Sequence, residues 1–180
     1  MTISPAFLRR VAAAAAAETL PRFRHPVSID NKLAGGFDPV TEADREAERA
    51  IRALIVEDYP DDGIHGEEFG LEREASERRW IIDPIDGTRA FISGIPLWGT
   101  LVGLTAGGRA QAGMMSQPFT GELFFATGEG TYYEGPGGNR RLAARDTTEL
   151  SDATLCTTTP SLFDPLRRPA YDRVEAAVCL

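Results

Sequence analysis

The chain is 180 residues long, 42% apolar and 26% charged, with a net charge of −8 and an isoelectric point near 4.8. That length supports one domain with a real core, or one domain and part of another. The acidic balance excludes a nucleic-acid backbone as the main partner, because neutralising its phosphates needs a basic face; a small phosphorylated ligand stays open, since a bound metal can reverse the local sign.

No stretch approaches the ~18 consecutive apolar residues of a membrane span. The Ala12–Ala17 run behind Arg9 and Arg10 imitates a secretory leader, but Glu18 cuts it short and no small-residue cleavage site follows. Cys156 and Cys179 lack metal-type spacing and read as free thiols of a reducing compartment. The expectation is a cytoplasmic protein without membrane contact.

In chain order, residues 4–20 predict a helix: Ser4 suits the N-cap, Pro5 the first helical position, and the alanine run has high propensity. Residues 27–37 predict a strand running into a Gly35-Gly36 loop. Residues 38–59 predict a second helical unit with Thr41 as N-cap and Asp44 three residues on, a capping-box pair. Its apolar stripe is Ala47, Ile51, Leu54 and Ile55, with glutamates and arginines on the other faces. A turn at Pro60–Gly63 leads to a short strand from Ile64 that ends on Glu67 and Glu68. Residues 71–79 read as a solvated charged loop. Trp80–Ile82 predicts a buried strand, followed by a tight turn carrying Asp83 and Asp86 and a helical start near Arg89.

Beyond this point the pattern is a meander of short strands with glycine turns: Leu97–Thr105, Ala110–Gln117, Leu123–Thr127 and Thr131–Glu134. Residues 135–150 read as loop, Ala153–Thr159 as a further strand, and residues 165–180 as a helix that the sequence leaves uncapped. The domain boundary falls at 150: residues 1–150 form one domain and 151–180 begin another. The fold class is layered α/β, with the N-terminal helices on a mainly antiparallel sheet.

The chemistry concentrates at residues 80–100. Asp83 and Asp86 lie three apart at a strand end, with Pro84 restricting the backbone between them. Two carboxylates this close repel unless a cation sits between them. Hard cations such as Mg²⁺ take carboxylate and carbonyl oxygens, which makes the Ile85 carbonyl a further candidate ligand. Gly87 and Thr88 start the next helix, where free N–H groups favour an anion. Plain helix capping explains each of these residues taken singly, and a solvated surface pair explains Glu67-Glu68. Their sum is more telling, because three element ends each carry acid beside Gly or Pro.

Three segments together resemble the inositol monophosphatase family: Asp38 to Asp44, Gly66-Glu67-Glu68, and Trp80 to Thr88 with its Asp-Pro-Ile-Asp-Gly-Thr string. The extension from Arg89 to Thr100 resembles the histidinol-phosphatase branch. The resemblance runs from the first helix to about residue 165. It implies the sandwich of the inositol monophosphatase and fructose-1,6-bisphosphatase fold, and a lithium-sensitive, Mg²⁺-dependent phosphomonoesterase.

Carried over, the resemblance assigns Glu67, Asp83 and the Ile85 carbonyl to one Mg²⁺, and Asp83 and Asp86 to a second. Glu67 would touch a third, hydrated ion. Thr88 with Asp44 would orient the attacking water, and Asp86 with the Gly87 and Thr88 amides would bind the substrate phosphate. The implied substrate is a small phosphorylated metabolite, L-histidinol phosphate first and inositol 1-phosphate second. Family members often form homodimers; nothing in the sequence points there independently. His25 and His65 receive structural roles. One family motif, near Trp-Asp-x-Ala in the C-terminal half and carrying a ligand of the second metal, does not occur before residue 180. The reading is therefore of a C-terminally truncated chain, with an inactive fragment as the alternative to a working enzyme.

Overall fold

Helix α1 (Pro5–Thr19) begins as the sequence predicts: Ser4 Oγ accepts the Phe7 N–H at 3.2 Å and proline occupies the first turn. In this computed structural model, which describes residues 2–26, 28–31 and 39–179, a single 3₁₀ turn (Leu20–Arg22) follows α1. Strand β1 (Ile29–Asn31) then pairs antiparallel with β2 (Pro39–Thr41). Val27, Asp38 and the Gly35-Gly36 pair lie outside the described residues. Helix α2 (Glu42–Asp58) starts directly after Thr41, the expected N-cap; the residues just before it, Pro39–Thr41, form a strand and not part of the helical unit.

The main sheet has eight strands in the order β10-β9-β8-β7-β6-β5-β3-β4. Its members are β3 (Gly63–Gly66), β4 (Gly70–Glu72), β5 (Arg78–Asp86), β6 (Gly99–Ala106), β7 (Arg109–Gln117), β8 (Glu122–Thr127), β9 (Gly130–Glu134) and β10 (Arg140–Leu142). Among the described residues β3 runs parallel to β5, and the other ladders are antiparallel. The short helix α3 (Thr88–Ile92) lies between β5 and β6.

The alternation of β5 decides which side of the sheet is dry. Trp80 and Ile82 are buried while Ile81 between them is 46% exposed. Successive strand residues face opposite ways, so the first two meet the helices. They pack with Val102, Leu104, Met114 and Phe125 of the sheet against Phe7, Leu8 and Val11 of α1 and Ala47, Ile51 and Ile55 of α2. Phe7 lies 5.3 Å from Trp80 and 4.8 Å from Tyr59, ring centre to ring centre. Each fully buried side chain of this size contributes about 1.5–3 kcal/mol.

A second apolar cluster, Phe23, Ala43, Ile85, Phe91 and Trp98, sits at one end of this core. Through Ala43, Ile85 and Phe91 it joins the start of α2, the end of β5 and helix α3, which carry the candidate site residues other than Glu67.

Four local expectations are corrected. The supposed loop 71–79 contains β4 and the start of β5; charged residues suit a short edge strand because their side chains reach water. Loop 135–150 contains β10. Residues 153–159 form no strand: 3₁₀ turns at Leu150–Asp152 and Pro160–Leu162 flank them, and no described strand in this region offers a ladder partner. Helix α4 (Arg168–Glu175) closes at Glu175 and does not run to residue 180.

The chain divides into two compact units at Leu142 and Ala143. The second holds α4, where Tyr171 stacks on Phe163 at 4.9 Å and donates to Glu175 at 2.8 Å.

Candidate metal and phosphate site

Asp44 is buried at the first turn of α2. Its Oδ2 accepts the Thr41 N–H at 2.8 Å and the Thr41 hydroxyl at 2.6 Å, so capping explains one oxygen completely. The other oxygen, Oδ1, faces the Thr88 hydroxyl at 3.5 Å, across 44 residues of sequence. Thr88 Oγ1 also donates to the Ile85 carbonyl at 3.1 Å. A cap and a long-range contact thus share one carboxylate, which places Asp44, Thr88 and the Ile85 carbonyl together.

Asp83 and Asp86 do not lie on a tight turn. The strand runs through Pro84 to Asp86, with a bulge in its pairing to β6 between Asp83–Leu101 and Asp86–Gly99. Thr100 donates its hydroxyl to the Pro84 carbonyl at 2.8 Å, which satisfies the irregular backbone. Residues three apart on a regular strand face opposite sides; a bulge re-aims them. The irregularity leaves Ile85 buried, Asp83 half-buried and Asp86 exposed.

Glu67 sits in the turn after β3, its N–H donating to the Ile82 carbonyl at 3.1 Å beside Asp83. The Asp83 carboxyl is pushed up to about 8, first by burial, then by the charge of Glu67 and a hydrogen bond shared with it, then by Asp86 and Asp44. Its Oδ1 is buried without a hydrogen-bond partner. Buried polar atoms are rarely left so. Packing four carboxylates within electrostatic reach of one another is costly in a protein that binds nothing there.

Gly87, the residue before α3, has φ +90°, and a Cβ on it would lie 2.6 Å from the Leu97 carbonyl oxygen. Its carbonyl accepts from Ala90 and Phe91 at 2.8 and 3.0 Å. The Gly87 and Thr88 N–H groups precede the helical ladder and have no carbonyl within it to bond.

A hard divalent cation fits this donor set: Glu67, Asp83 and Asp86 supply carboxylate oxygens, the Ile85 carbonyl supplies a neutral one, and Asp83 Oδ1 is an orphan acceptor. The fit is partial. Among the described residues no group of three or more His, Cys, Asp or Glu side chains is gathered into a formed metal cage. His65 lies on β3 and His25 beyond the 3₁₀ turn, both exposed.

Two buried charges escaped sequence reasoning. Glu48 and Arg52 were expected on the solvated faces of α2, yet Glu48 is fully buried and Arg52 nearly so. The available signal was their four-residue spacing from Asp44, which continues along the buried side of the helix.

The inositol monophosphatase family model matches residues 5–179, nearly the whole chain. The chain belongs to the inositol monophosphatase family. A solved inositol monophosphatase from Zymomonas mobilis superposes with a TM-score of 0.79 at 36% identity, over 96% of this chain and 65% of that one. A histidinol-phosphatase from Chlorobaculum parvum is 51% identical over 98 residues, 54% of this chain and 38% of that protein. A histidinol-phosphatase from Streptomyces coelicolor is 37% identical over 153 residues, 81% of this chain and 56% of that protein. The chain spans about half the length of the curated relatives it matches. The family's α/β fold, with helices on a mainly antiparallel sheet, is the fold seen here. No helix among the described residues is long and apolar enough to cross a membrane.

Proposed function

We propose that this chain carries the metal- and water-handling part of a Mg²⁺-dependent phosphomonoesterase acting on a small phosphorylated metabolite, histidinol phosphate in the first instance. The observation that carries the reading is the half-buried Asp83 carboxyl, its buried Oδ1 orphaned and the group set against Glu67, beside the Asp44–Thr88 contact. The similarity to histidinol-phosphatases supports the substrate; inositol 1-phosphate is the second choice, from the similarity to the inositol monophosphatase.

Glu67, Asp83, Asp86 and the Ile85 carbonyl would hold the Mg²⁺, two or three ions in all, with Li⁺ as an expected inhibitor. Bound there, the cation makes a nucleophile of water at neutral pH and screens the phosphate charge. Thr88 would accept a hydrogen bond from the attacking water with its single proton given to Asp44 Oδ1 in place of the Ile85 carbonyl, which it meets at 3.1 Å in this structure, and this would fix the water's orientation. The capping bonds to Asp44 Oδ2 keep that carboxylate from turning away. The Gly87 and Thr88 amides, with Asp86, seat the phosphate for in-line attack, so no residue need form a covalent intermediate.

Phosphate release is to be measured from histidinol phosphate, inositol 1-phosphate, fructose bisphosphate and adenosine bisphosphate, with Mg²⁺ and then with chelator. Chelator-sensitive release, highest with histidinol phosphate, is expected. No release from any of the four would sink the reading for this chain. A second reading, Mg²⁺ binding without turnover, predicts thermal stabilisation by Mg²⁺ and no phosphate release.

A further inference from the structure

Glu48 is a wholly buried carboxylate with no part in the chemistry above. It lies one turn beyond Asp44 on α2 and reaches the turn between β3 and β4. Its Oε2 accepts the Glu68 N–H at 2.7 Å and its Oε1 the Phe69 N–H at 3.2 Å. Arg52 Nε donates to the same Oε1 at 2.7 Å, and its Nη1 and Nη2 reach Glu72 Oε1 at 2.9 Å and the Gly70 carbonyl at 2.6 Å. The approach needs a glycine: a Cβ on Gly66 would fall inside the Glu48 carboxylate.

The turn so gripped carries Glu67. Its own N–H is bound to the Ile82 carbonyl of β5, and the next two N–H groups are bound to Glu48. The Glu67 backbone is thereby fixed from the sheet on one side and from α2 on the other. Burying a charge in this way is costly unless it is fully paired, and Glu48 is paired on both oxygens. A capping pair or an apolar residue would have served the helix alone.

We infer that Glu48, held by Arg52, is a positioning residue: it sets the Glu67 carboxylate against Asp83 and so tunes cation affinity, while Asp44 on the same helix sets the water. The inference rests on the metal-site reading proposed above. Residues that orient a metal ligand from behind typically change affinity by ~10–100-fold when altered.

The test uses the full chain, with Mg²⁺ alone titrated calorimetrically. Glu48→Gln and Gly66→Ala are each expected to weaken Mg²⁺ binding by ~10-fold or more. Arg52→Lys keeps a cation beside Glu48 but loses the fork to Glu72 and Gly70, and is expected to weaken binding several-fold; it decides the matter if the first two do not fold. Hydrogen exchange of the metal-free protein supplies the second readout. The Glu68 and Phe69 amides should lose protection in the variants while those of Trp80 and Leu104 keep theirs.

Added to Glu67→Gln, Glu48→Gln should weaken binding no further. A fall in unfolding temperature with an unchanged Mg²⁺ dissociation constant overturns the inference and leaves the metal site standing. Unchanged Mg²⁺ binding by Glu67→Gln itself overturns the metal-site reading, and the inference with it.

Discussion

Replacing Asp83 with asparagine removes the carboxyl that burial and three neighbouring acids oppose most strongly. At neutral pH the metal-free protein should become more stable, because a carboxyl pushed up to about 8 has to take up a proton on folding and an amide does not. The same change removes a proposed ligand, so the rise in unfolding temperature on adding Mg²⁺ should vanish; both follow from one thermal-shift series. Thr88→Val acts on the other half of the site. It deletes the hydroxyl between Asp44 and the Ile85 carbonyl, and phosphate release should fall by ~10²–10⁴-fold. Mg²⁺ affinity should be unchanged, because the hydroxyl is not among the cation's ligands. The sequence was informative here where a spacing had a local meaning. The Thr41–Asp44 pair was legible as a capping box because its chemistry is complete within four residues. The second use of Asp44, toward Thr88, was not a matter of spacing, and only the family resemblance supplied it. Glu48 was misread as surface because its partners, Glu68 and Phe69, lie 20 and 21 residues away.

At the scale of elements, the end of β5 shows what a periodicity argument misses. Pro84 between two aspartates reads as a turn, yet β6 accepts it by a register shift, and the irregularity is closed by the Thr100 hydroxyl. Register belongs to the pair of strands and not to either sequence. The junction from β5 into α3 then depends on Gly87. Gly87→Ala would place a Cβ against the Leu97 carbonyl at a positive φ. A loss of about 1–3 kcal/mol is expected in chemical denaturation, together with loss of phosphate release, because both amides of the proposed phosphate seat move.

Helix α1, held mainly by its buried face, has a weak polar tie to the sheet as well. Arg9 Nε donates to Glu134 Oε2 at 2.8 Å, joining α1 to β9, and the guanidinium holds the Glu134 carboxyl below its ordinary range. The stabilisation is therefore present above the ordinary glutamate pKa and is lost as pH falls through the lowered folded value. The pair is half-exposed on the arginine side, which limits its worth to under about 1 kcal/mol. Glu134→Gln should lower stability in the neutral region by up to that amount and leave the acid end unchanged, so that the acid limb of the stability–pH curve becomes flatter.

For the whole molecule, the division at Leu142 and Ala143 leaves Arg145 in an exposed, irregular segment. Brief digestion with an arginine-specific protease should cut first there, as mass spectrometry would show, because the arginines of the first unit mostly lie on elements with backbone ladders. The architecture of that first unit was legible: a capped, alanine-rich helix, a second helix with an apolar stripe, a meander punctuated by glycine, and a strand at Trp80–Ile82, of which Ile81 faces away from the core. The 153–159 segment was not, since its alternation resembled a strand and a strand needs a neighbour that the sequence does not announce.

The order of the sheet has a further consequence. Its two outer strands, β4 and β10, are three residues each, so little unpaired backbone is offered to another molecule. Glu72 flanks one edge; on the other, Arg140 lies over the Tyr133 ring and Arg141 donates to the Glu129 carbonyl. Short, charged borders discourage a second sheet from adding on. Colloidal behaviour is thus written into residues remote from the acidic site, and exchanging Arg140 and Arg141 for threonine should appear first as growth in scattered light on storage, with phosphate chemistry untouched.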